Sequence, residues 1–293
     1  MSFTLPSDID QRPVAIDGAG TLGQRIASVY AAGGSDVRIF DLSEQQRAAA
    51  GDYVAEHVDE VKKKLGLDPA RTGDVQLADD LEAAVDGAWM VIESVPEKLK
   101  IKRQVFGQLD ELAAPDAILA SNSSSLPSSQ FVDQVEHPER ALNTHYQQPP
   151  ELNSVELMPC GKTDPGVIDA LMERLPRYGL VPFHVRRESD GFIFNRIWAS
   201  IKRECLMVVE EGVATPEDVD RMWEIFTRPG IPPFELMDRV GLDVVLNIEE
   251  HYAQVRTGIP EGPRRLLREY IEAGRLGTKS GGGFYNAEDG GRR

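Results

Sequence analysis

Short apolar runs alternate with longer amphipathic stretches over the first 187 residues of the chain. Five runs have the length and composition of buried strands: residues 14–16, 37–40, 89–92, 118–120 and 141–143. Three stretches between them have helical length and period: residues 22–32, 44–65 and 98–112. Strands that alternate with helices are typical of an α/β fold with a doubly wound parallel sheet.

The pattern changes after Glu188, where only helical periods remain. Helices are predicted over residues 192–212, 216–226, 241–256 and 263–273. Pro216 and Pro263 stand where the first turn of a helix accepts proline, and Thr215 is a suitable N-cap before Pro216. We therefore predict an α/β domain over residues 1–188 and an all-α C-terminal domain over residues 189–293.

Length and composition agree with a folded protein of one large or two ordinary domains. The chain has 293 residues, of which 41% are hydrophobic and 27% charged. No apolar run reaches the roughly 18 residues that a membrane span needs. We therefore expect no transmembrane segment.

The charge and the cysteines exclude several classes of function. A net charge of −16 makes a DNA or RNA backbone a poor partner, because phosphate contacts need clustered Lys and Arg. Cys160 and Cys205 form neither a disulfide framework nor a metal-ligand spacing, which suits a reducing compartment. The first ten residues lack the basic and apolar parts of a secretory signal. We expect a cytoplasmic location and no metal site.

The first chemical signal is the segment Gly18-Ala19-Gly20-Thr21-Leu22-Gly23, which matches G-x-G-x-x-G. Such spacing is weak by itself in a chain with 26 glycines. Here a predicted strand precedes it, a predicted helix follows it, and the next strand ends at Asp41, 18 residues after Gly23. This arrangement is typical of a dinucleotide-binding, Rossmann-type βαβ unit.

Each residue of the motif has a physical role in such a site. Gly18 permits the tight turn, Gly20 lets backbone amides approach a pyrophosphate at the helix N-terminus, and Gly23 lets helix and strand pack closely. Asp41 would accept hydrogen bonds from the adenosine ribose hydroxyls and repel a 2′-phosphate, which favours NAD over NADP. The alternative interpretation is a glycine turn beside a solvated aspartate.

Asp17 does not fit this pattern, because a buried apolar residue is expected before the first glycine. A buried carboxyl group needs hydrogen bonds or a raised pKa. The sequence offers no reason for its presence.

Polar residues follow two further predicted strands. Ser123, Ser124 and Ser125 come after the strand at 118–120, although serine runs are often ordinary turns or helix caps. His145 follows the strand at 141–143, and Glu156 lies 11 residues further on. Oxidation of an alcohol by NAD needs a base, and a carboxylate behind an imidazole fixes its tautomer. A structural histidine and a solvent-facing glutamate remain the alternative.

Several segments together resemble the L-3-hydroxyacyl-CoA dehydrogenase family, whose relatives include gulonate and carnitine 3-dehydrogenases. They keep the family's order along the chain: residues 14–27, 91–102, 120–126, 144–157, 190–196, 233–243 and 277–285. The resemblance implies an NAD-binding Rossmann domain over residues 1–188. It also implies a helical domain over residues 189–293 for substrate binding and homodimer formation, and a place in fatty acid metabolism.

The resemblance also implies roles for individual residues. His145 matches the catalytic base, Glu156 its orienting acid, and Ser124 the serine that bonds the reacting oxygen. Asn195 matches an asparagine that the helical domain brings to the site, and Glu97 and Lys102 match residues near the cofactor and the cleft. The implied reaction is reversible oxidation of the 3-hydroxyl of a (3S)-3-hydroxyacyl-CoA, with hydride passing to NAD.

One departure keeps the substrate open. The family usually has His-Phe-Phe-Asn-Pro where this chain has His145-Tyr146-Gln147-Gln148-Pro149. The two glutamines favour a free polar 3-hydroxy acid as the alternative substrate. A third hypothesis is a dinucleotide-binding module without catalysis, against which the intact site residues argue. A CoA diphosphate would need cations, and Lys98, Lys100, Lys102 and Arg103 form either a patch for it or an ordinary solvated helix face.

Overall fold

The computed structural model of the chain describes residues 6–227 and 232–285. The chain divides after Ile193 into two compact units. The predicted limits, 1–188 for NAD binding and 189–293 for substrate binding and dimer formation, stay a prediction.

The first unit is a single eight-stranded sheet with helices. Its strands are β1 (Val14–Asp17), β2 (Val37–Phe40), β3 (Val75–Leu77), β4 (Met90–Glu93), β5 (Ile118–Ser121), β6 (Ala141–Gln148), β7 (Leu152–Pro159) and β8 (Val181–His184). Its helices are α1 (Thr21–Ala32), α2 (Glu44–Leu65), α3 (Leu81–Val85), α4 (Leu99–Leu112) and α5 (Pro165–Arg174). The strand order is β3-β2-β1-β4-β5-β6-β7-β8, and every neighbouring pair is parallel except β6 and β7. This confirms the predicted Rossmann-type fold, since the first six strands have the 3-2-1-4-5-6 order of dinucleotide-binding sheets.

The central strands are buried on both faces of the sheet, which explains their unbroken apolar sequence. On β1, Val14 and Ile16 pack into the same hydrophobic cluster as Tyr30 of α1. Ala15, between them, packs into a second cluster with Phe106 of α4. Alternate side chains of one strand therefore face different helical layers.

The prediction missed the strand pair β6–β7 at the edge that carries the candidate base. Strand β6 was predicted to end at residue 143 but continues to Gln148, so His145 lies inside the strand. Only three residues connect β6 to β7, and a parallel crossover needs a dozen or more. The pair is therefore antiparallel, and His145 stands directly across from Glu156.

The second unit consists of helices and a short terminal segment in the described residues. The helices are α6 (Phe194–Glu210), α7 (Pro216–Thr227), α8 (Pro233–Val240), α9 (Leu242–Val255) and α10 (Gly262–Glu272). The predicted cap is confirmed, because Thr215 Oγ1 accepts a hydrogen bond from Asp218 N at 3.2 Å. Helix α8 was not predicted; its first turn is anchored on Asp220, which accepts from the backbone N–H groups of Phe234 and Glu235.

We find no described helix whose length and apolar character together suffice for a membrane span.

Candidate active site

The glycine turn after β1 is shaped by close contacts at two of its three glycines. Gly18 has a φ of +110°, and a Cβ there would lie 2.6 Å from backbone atoms of Ser94, just after β4. A Cβ on Gly23 would lie 1.9 Å from the carbonyl oxygen of Gly18. A Cβ on Gly20 would meet nothing within 4 Å. Two glycines are therefore sterically required, and the third borders open space.

Helix α1 begins directly beside that open space. Gly20 is its N-cap residue and provides no side-chain cap, Thr21 is exposed, and Leu22 packs partly against the first core cluster. The N-terminus of a helix presents backbone N–H groups and a partial positive charge, which together suit an anion. The turn therefore fits the pyrophosphate of a dinucleotide.

Asp41 lies at the same turn, directly after β2. Its Oδ2 accepts a hydrogen bond from Ala19 N at 2.9 Å, and its Oδ1 accepts one from Ser43 N at 2.9 Å. The carboxylate is half-buried at the end of β2, where the ribose of a bound dinucleotide is expected in this fold. Gly18, Gly20, Thr21, Leu22, Gly23 and Asp41 thus lie together, and their roles in holding NAD stay predictions.

Asp17 lies beneath this turn and is only 5% exposed. It stands opposite Glu93 in the register of β1 and β4, and its Oδ2 is buried without a hydrogen-bond partner. Burial and the neighbouring carboxylates of Glu93 and Asp41 raise the pKa of Asp17 to about 7. The amide of Ala19 in the turn is bound by Asp41 instead. Asp17 is therefore mainly neutral in the folded protein only below about pH 7.

Glu93, which sequence reasoning missed, is a buried ion-pair partner at the end of β4. Lys102 Nζ lies 2.7 Å from its Oε1, Ser121 Oγ donates to its Oε2 at 2.6 Å, and Val95 N donates to Oε1 at 2.9 Å. Burial raises the pKa of Glu93, while Lys102 and these hydrogen bonds oppose the rise. A glutamate that ends an apolar strand, with a lysine nine residues later, was the available signal.

The same contacts correct one prediction about cations. Lys102 is 1% exposed and paired with Glu93 and Glu97, so both interpretations of this residue, as part of a patch for a CoA diphosphate and as part of a solvated helix face, were wrong. Arg103 donates to the Gln130 carbonyl and pairs with Asp133. Lys98 and Lys100 are the exposed members of the predicted patch.

Glu97 organises the serine turn that follows β5. Its Oε1 accepts hydrogen bonds from Ser123 Oγ at 2.6 Å, Ser124 N at 3.1 Å and Ser125 N at 3.0 Å. Burial would raise the pKa of Glu97, but Lys102 and the serine hydroxyls outweigh it and hold the pKa below its usual value. The serine run is therefore a turn fixed on one carboxylate, and Ser124 is held within it through its backbone.

Asn122 connects the glycine turn to the candidate base. Its Nδ2 donates to Ser94 Oγ at 3.3 Å, and its Oδ1 accepts from Tyr146 N at 3.0 Å. Ser94 borders Gly18, and Tyr146 follows His145 in β6. The dinucleotide turn and the histidine therefore belong to one edge of the sheet, outside the carboxyl ends of its parallel strands, where ligands bind in this architecture.

His145 and Glu156 form a buried hydrogen-bonded pair. His145 Nδ1 lies 2.8 Å from Glu156 Oε2, and the two residues are 6% and 3% exposed. A carboxylate accepts, so Nδ1 carries the proton and Nε2 keeps its lone pair. The ring of Phe192 lies 5.2 Å from the imidazole centre. This arrangement suits a general base.

A turn at residues 191–193 supplies a backbone donor to Glu156. Gly191 has a φ of +72° and Phe192 one of +53°, which is unusual for a bulky residue. The turn directs the N–H of Ile193 to Glu156 Oε1 at 2.8 Å. A strained backbone at a functional site is tolerated when the surroundings enforce it. The hydrogen bond and the buried ring of Phe192 do so here.

Asn195 lies in the first turn of α6, in the second unit. The role that the resemblance gives it stays a prediction, as do the roles of His145, Glu156, Ser124, Glu97 and Lys102.

A Rossmann sheet with a glycine turn and an aspartate at the end of β2, on the same sheet edge as a histidine–carboxylate pair, has the architecture of a dinucleotide-dependent dehydrogenase. Two family models match the chain: "3-hydroxyacyl-CoA dehydrogenase, NAD binding domain" over residues 13–189, and "3-hydroxyacyl-CoA dehydrogenase, C-terminal domain" over residues 191–287. The chain belongs to the 3-hydroxyacyl-CoA dehydrogenase family. It is an NAD-dependent oxidoreductase.

Individual relatives cover almost the whole chain. A 5-formyl-3-hydroxy-2-methylpyridine 4-carboxylate 5-dehydrogenase of Mesorhizobium japonicum is 32% identical, covering 94% of this chain and 90% of the relative. A probable 3-hydroxybutyryl-CoA dehydrogenase of Bacillus subtilis is 31% identical, covering 95% and 98%. The crystal structure of an (S)-3-hydroxybutyryl-CoA dehydrogenase from Ralstonia eutropha superimposes with a TM-score of 0.83 at 29% identity, covering 94% of this chain and 98% of that one.

Proposed function

We propose that the chain catalyses the reversible oxidation of the 3-hydroxyl of a (3S)-3-hydroxyacyl-CoA to the 3-ketoacyl-CoA. The observation that carries this proposal is the buried His145–Glu156 pair, with imidazole Nε2 left as the base, on the same sheet edge as the glycine turn. The relatives named for 3-hydroxybutyryl-CoA support the choice of substrate.

The proton is handled by this chain's own residues. Bound NAD supplies the acceptor for the hydride that leaves C3. His145 Nε2 takes the proton of the 3-hydroxyl as the C3–H bond breaks, and Glu156 stabilises the resulting imidazolium through Nδ1–H. In the reverse direction the imidazolium returns its proton to the oxygen of the 3-keto group.

Glu156 is equipped to remain a carboxylate during this step. Its Oε2 receives His145 Nδ1–H, and its Oε1 receives the N–H of Ile193. Hydrogen bonds donated to a carboxylate favour its charged form. An ionised acid is the form that stabilises an imidazolium.

The serine turn supports an orienting role for Ser124. Glu97 fixes the turn on both sides of it, through the hydroxyl of Ser123 and the backbone N–H of Ser125. A hydroxyl on such a turn suits the placement of the reacting oxygen, and orientation can lower a barrier by several kcal/mol. We keep Asn195 as a second orienting residue, on the resemblance alone.

The test is NADH formation from short (3S)-3-hydroxyacyl-CoA, followed at 340 nm in wild type and in His145→Gln. We expect turnover in the wild type and its loss in the variant, with NAD binding by calorimetry unchanged in both. Turnover in the variant at the wild-type rate would remove His145 from the mechanism. NAD binding without turnover on any 3-hydroxy substrate would favour a non-catalytic module instead.

A second candidate substrate is a free polar 3-hydroxy acid. Gln147 places an amide beside the base, where the family usually has phenylalanine, and an amide can hydrogen-bond a polar substrate. In addition, Lys102 is buried and therefore cannot contribute to a surface patch for the CoA diphosphate. The Mesorhizobium relative bears the name of a pyridine carboxylate dehydrogenase. Parallel assays with acyl-CoA and with carnitine- or gulonate-like acids separate the candidates by their kcat/KM ratio.

We also propose a cytoplasmic homodimer that takes part in fatty acid metabolism. Cys160 and Cys205 are both unpaired and buried, which supports a reducing compartment. Size-exclusion chromatography with light scattering tests the dimer, because a monomer has a mass of 32.4 kDa.

A further inference from the structure

Gln147 shares a face of β6 with the candidate base. It follows His145 by two residues, at an irregularity in the β6–β7 register between Tyr146 and Gln148, and its contacts place the amide on the side of His145. Gln147 Nε2 lies 3.3 Å from Glu156 Oε2 and 3.4 Å from His145 Nδ1. The amide therefore touches both members of the pair.

One of these two contacts is a hydrogen bond and the other is proximity. Nδ1 carries the proton that it donates to Glu156, so it has no lone pair for an amide N–H. The N–H of Gln147 is therefore donated to Glu156 Oε2. That oxygen receives two donors, while Oε1 receives the N–H of Ile193.

We propose that Gln147 is a positioning residue that limits how strongly Glu156 holds the imidazolium form of His145. The proposal rests on the function proposed above only in calling His145 the base. By donating to Oε2, the amide stabilises the carboxylate and fixes its plane, and it draws part of the negative charge away from the imidazole.

Removing the Gln147 amide should change the proton affinity of His145 in one direction only. Without the second donor, the charge on Oε2 acts fully on the imidazolium, because opposite charges a few Å apart favour the charged form. The imidazole then holds its proton to a higher pH than in the wild type. A carboxylate in place of the amide strengthens the same effect and adds repulsion with Glu156.

Other charged side chains on the elements around the His145–Glu156 pair also influence its titration, but they are the same in all variants. They are His184 at the end of β8, Glu97 and Lys102 beside the neighbouring strands, and Arg186, Arg187, Glu188 and Asp190 in the segment before Ile193. A change in the titration of His145 in a variant at position 147 is therefore caused by that substitution.

The experiment compares three full-length variants. Gln147→Met keeps the side-chain length and removes the donor, and Gln147→Glu keeps the shape and replaces the donor with an acceptor. Gln76→Met, at an exposed glutamine on the outer strand β3, is the matched control. NMR titration of the His145 ring in cofactor-free protein gives its titration midpoint without any need for turnover.

We expect the midpoint to rise by about 0.5 to 1 pH unit in Gln147→Met, to rise further in Gln147→Glu, and to stay unchanged in Gln76→Met. The acidic limb of the kcat/KM profile should move with it. Activity at pH 6 then falls about 3- to 10-fold and recovers at pH 9, with KM nearly constant.

Several results would overturn the proposal. An unchanged or lowered midpoint in Gln147→Met would do so, as would a loss of thermal stability in that variant with the titration unmoved, since that marks a structural role only. If wild type shows no turnover, the function proposed above fails, while the NMR titration still decides the role of Gln147. Should Gln147→Met fail to fold, Gln147→Leu removes the donor in its place, because the new charge in Gln147→Glu raises the midpoint whatever the role of the amide.

Discussion

Two buried carboxyl groups at the same edge of the sheet have opposite surroundings. Glu156 receives hydrogen bonds from His145, Gln147 and the backbone of Ile193. Asp17 has an oxygen buried without a partner, and the carboxylates of Glu93 and Asp41 raise its pKa while Lys102 opposes them. The first environment favours the charged form of the acid, and the second favours the neutral form.

The difference shows that burial alone does not decide the charge of an acid. Both groups are at most 5% exposed. Desolvation favours the neutral form in each case, and only donors or cations can outweigh it. Glu93 is intermediate, since it has Lys102 and Ser121 as partners and yet burial still raises its pKa.

The largest expected effect comes from removing the charge of Glu156, the carboxyl group with three hydrogen-bond donors named above. Glu156→Gln keeps the shape of the side chain but removes the charge that steadies the imidazolium. We expect kcat to fall about 10²- to 10⁴-fold, measured by NADH formation, with the affinity for NAD unchanged. A fall of less than threefold would show that the carboxylate charge is not needed.

Lys102→Met tests the buried ion pair next. It leaves Glu93 without its cation in an apolar interior, and breaking one side of such a pair costs about 3–5 kcal/mol. Urea unfolding followed by circular dichroism measures the loss. The double variant Glu93→Leu with Lys102→Met should recover part of it, because the fully buried charge of Glu93 is removed while Glu97 still lacks its cation. No recovery at all would mean that the Glu93–Lys102 pair is not the cause.

Asp17→Asn tests the other carboxyl group through the pH dependence of the free energy of unfolding. The pKa of Asp17 is about 7 in the folded protein and 3.8 in an unfolded chain. Folding stability therefore falls as pH rises from about 4 to 7, and the loss stays complete above 7. The variant lacks this loss, so its advantage over wild type should grow by about 2–4 kcal/mol between pH 4 and pH 8. Parallel stability curves for the two proteins over that range would contradict the assignment.

Ser121→Ala should have the smallest effect on stability, and it measures how much one hydrogen-bond donor contributes to a buried carboxylate. The change removes one donor to Glu93 Oε2 and should cost about 1–2 kcal/mol in chemical unfolding. Ser128→Ala is the matched control, since the Ser128 hydroxyl is buried without a hydrogen-bond partner. We expect it to be neutral or slightly stabilising, and equal losses in both variants would show that the donor is unimportant.

Much of the first unit followed from sequence because its signals are local. The glycine motif, the strand before it and the helix after it lie within about 20 consecutive residues, and each needs only its own neighbours to be recognised. His145 and Glu156 were paired from chemistry and spacing, and β6 and β7 bring them to 2.8 Å.

The missed features depend on contacts between distant segments. The burial of Lys102 follows from its position on α4 above the end of β4, and a surface helix with the same residues would expose it. The N–H of Ile193 reaches a carboxylate 37 residues away in the chain. A backbone donor has no side-chain signature, so no motif could have indicated it.

The sequence by itself determined the class of fold, the dinucleotide turn and the types of side chain available for chemistry, because hydrophobic period and glycine spacing are properties of short segments. The tertiary structure alone decided which acids are charged and how each is held. Asp17 and Glu156 both carry a carboxyl group, and the sequence alone does not distinguish their charge. They differ because the donors and charges that surround a buried carboxyl group come from strands and turns that only folding brings together.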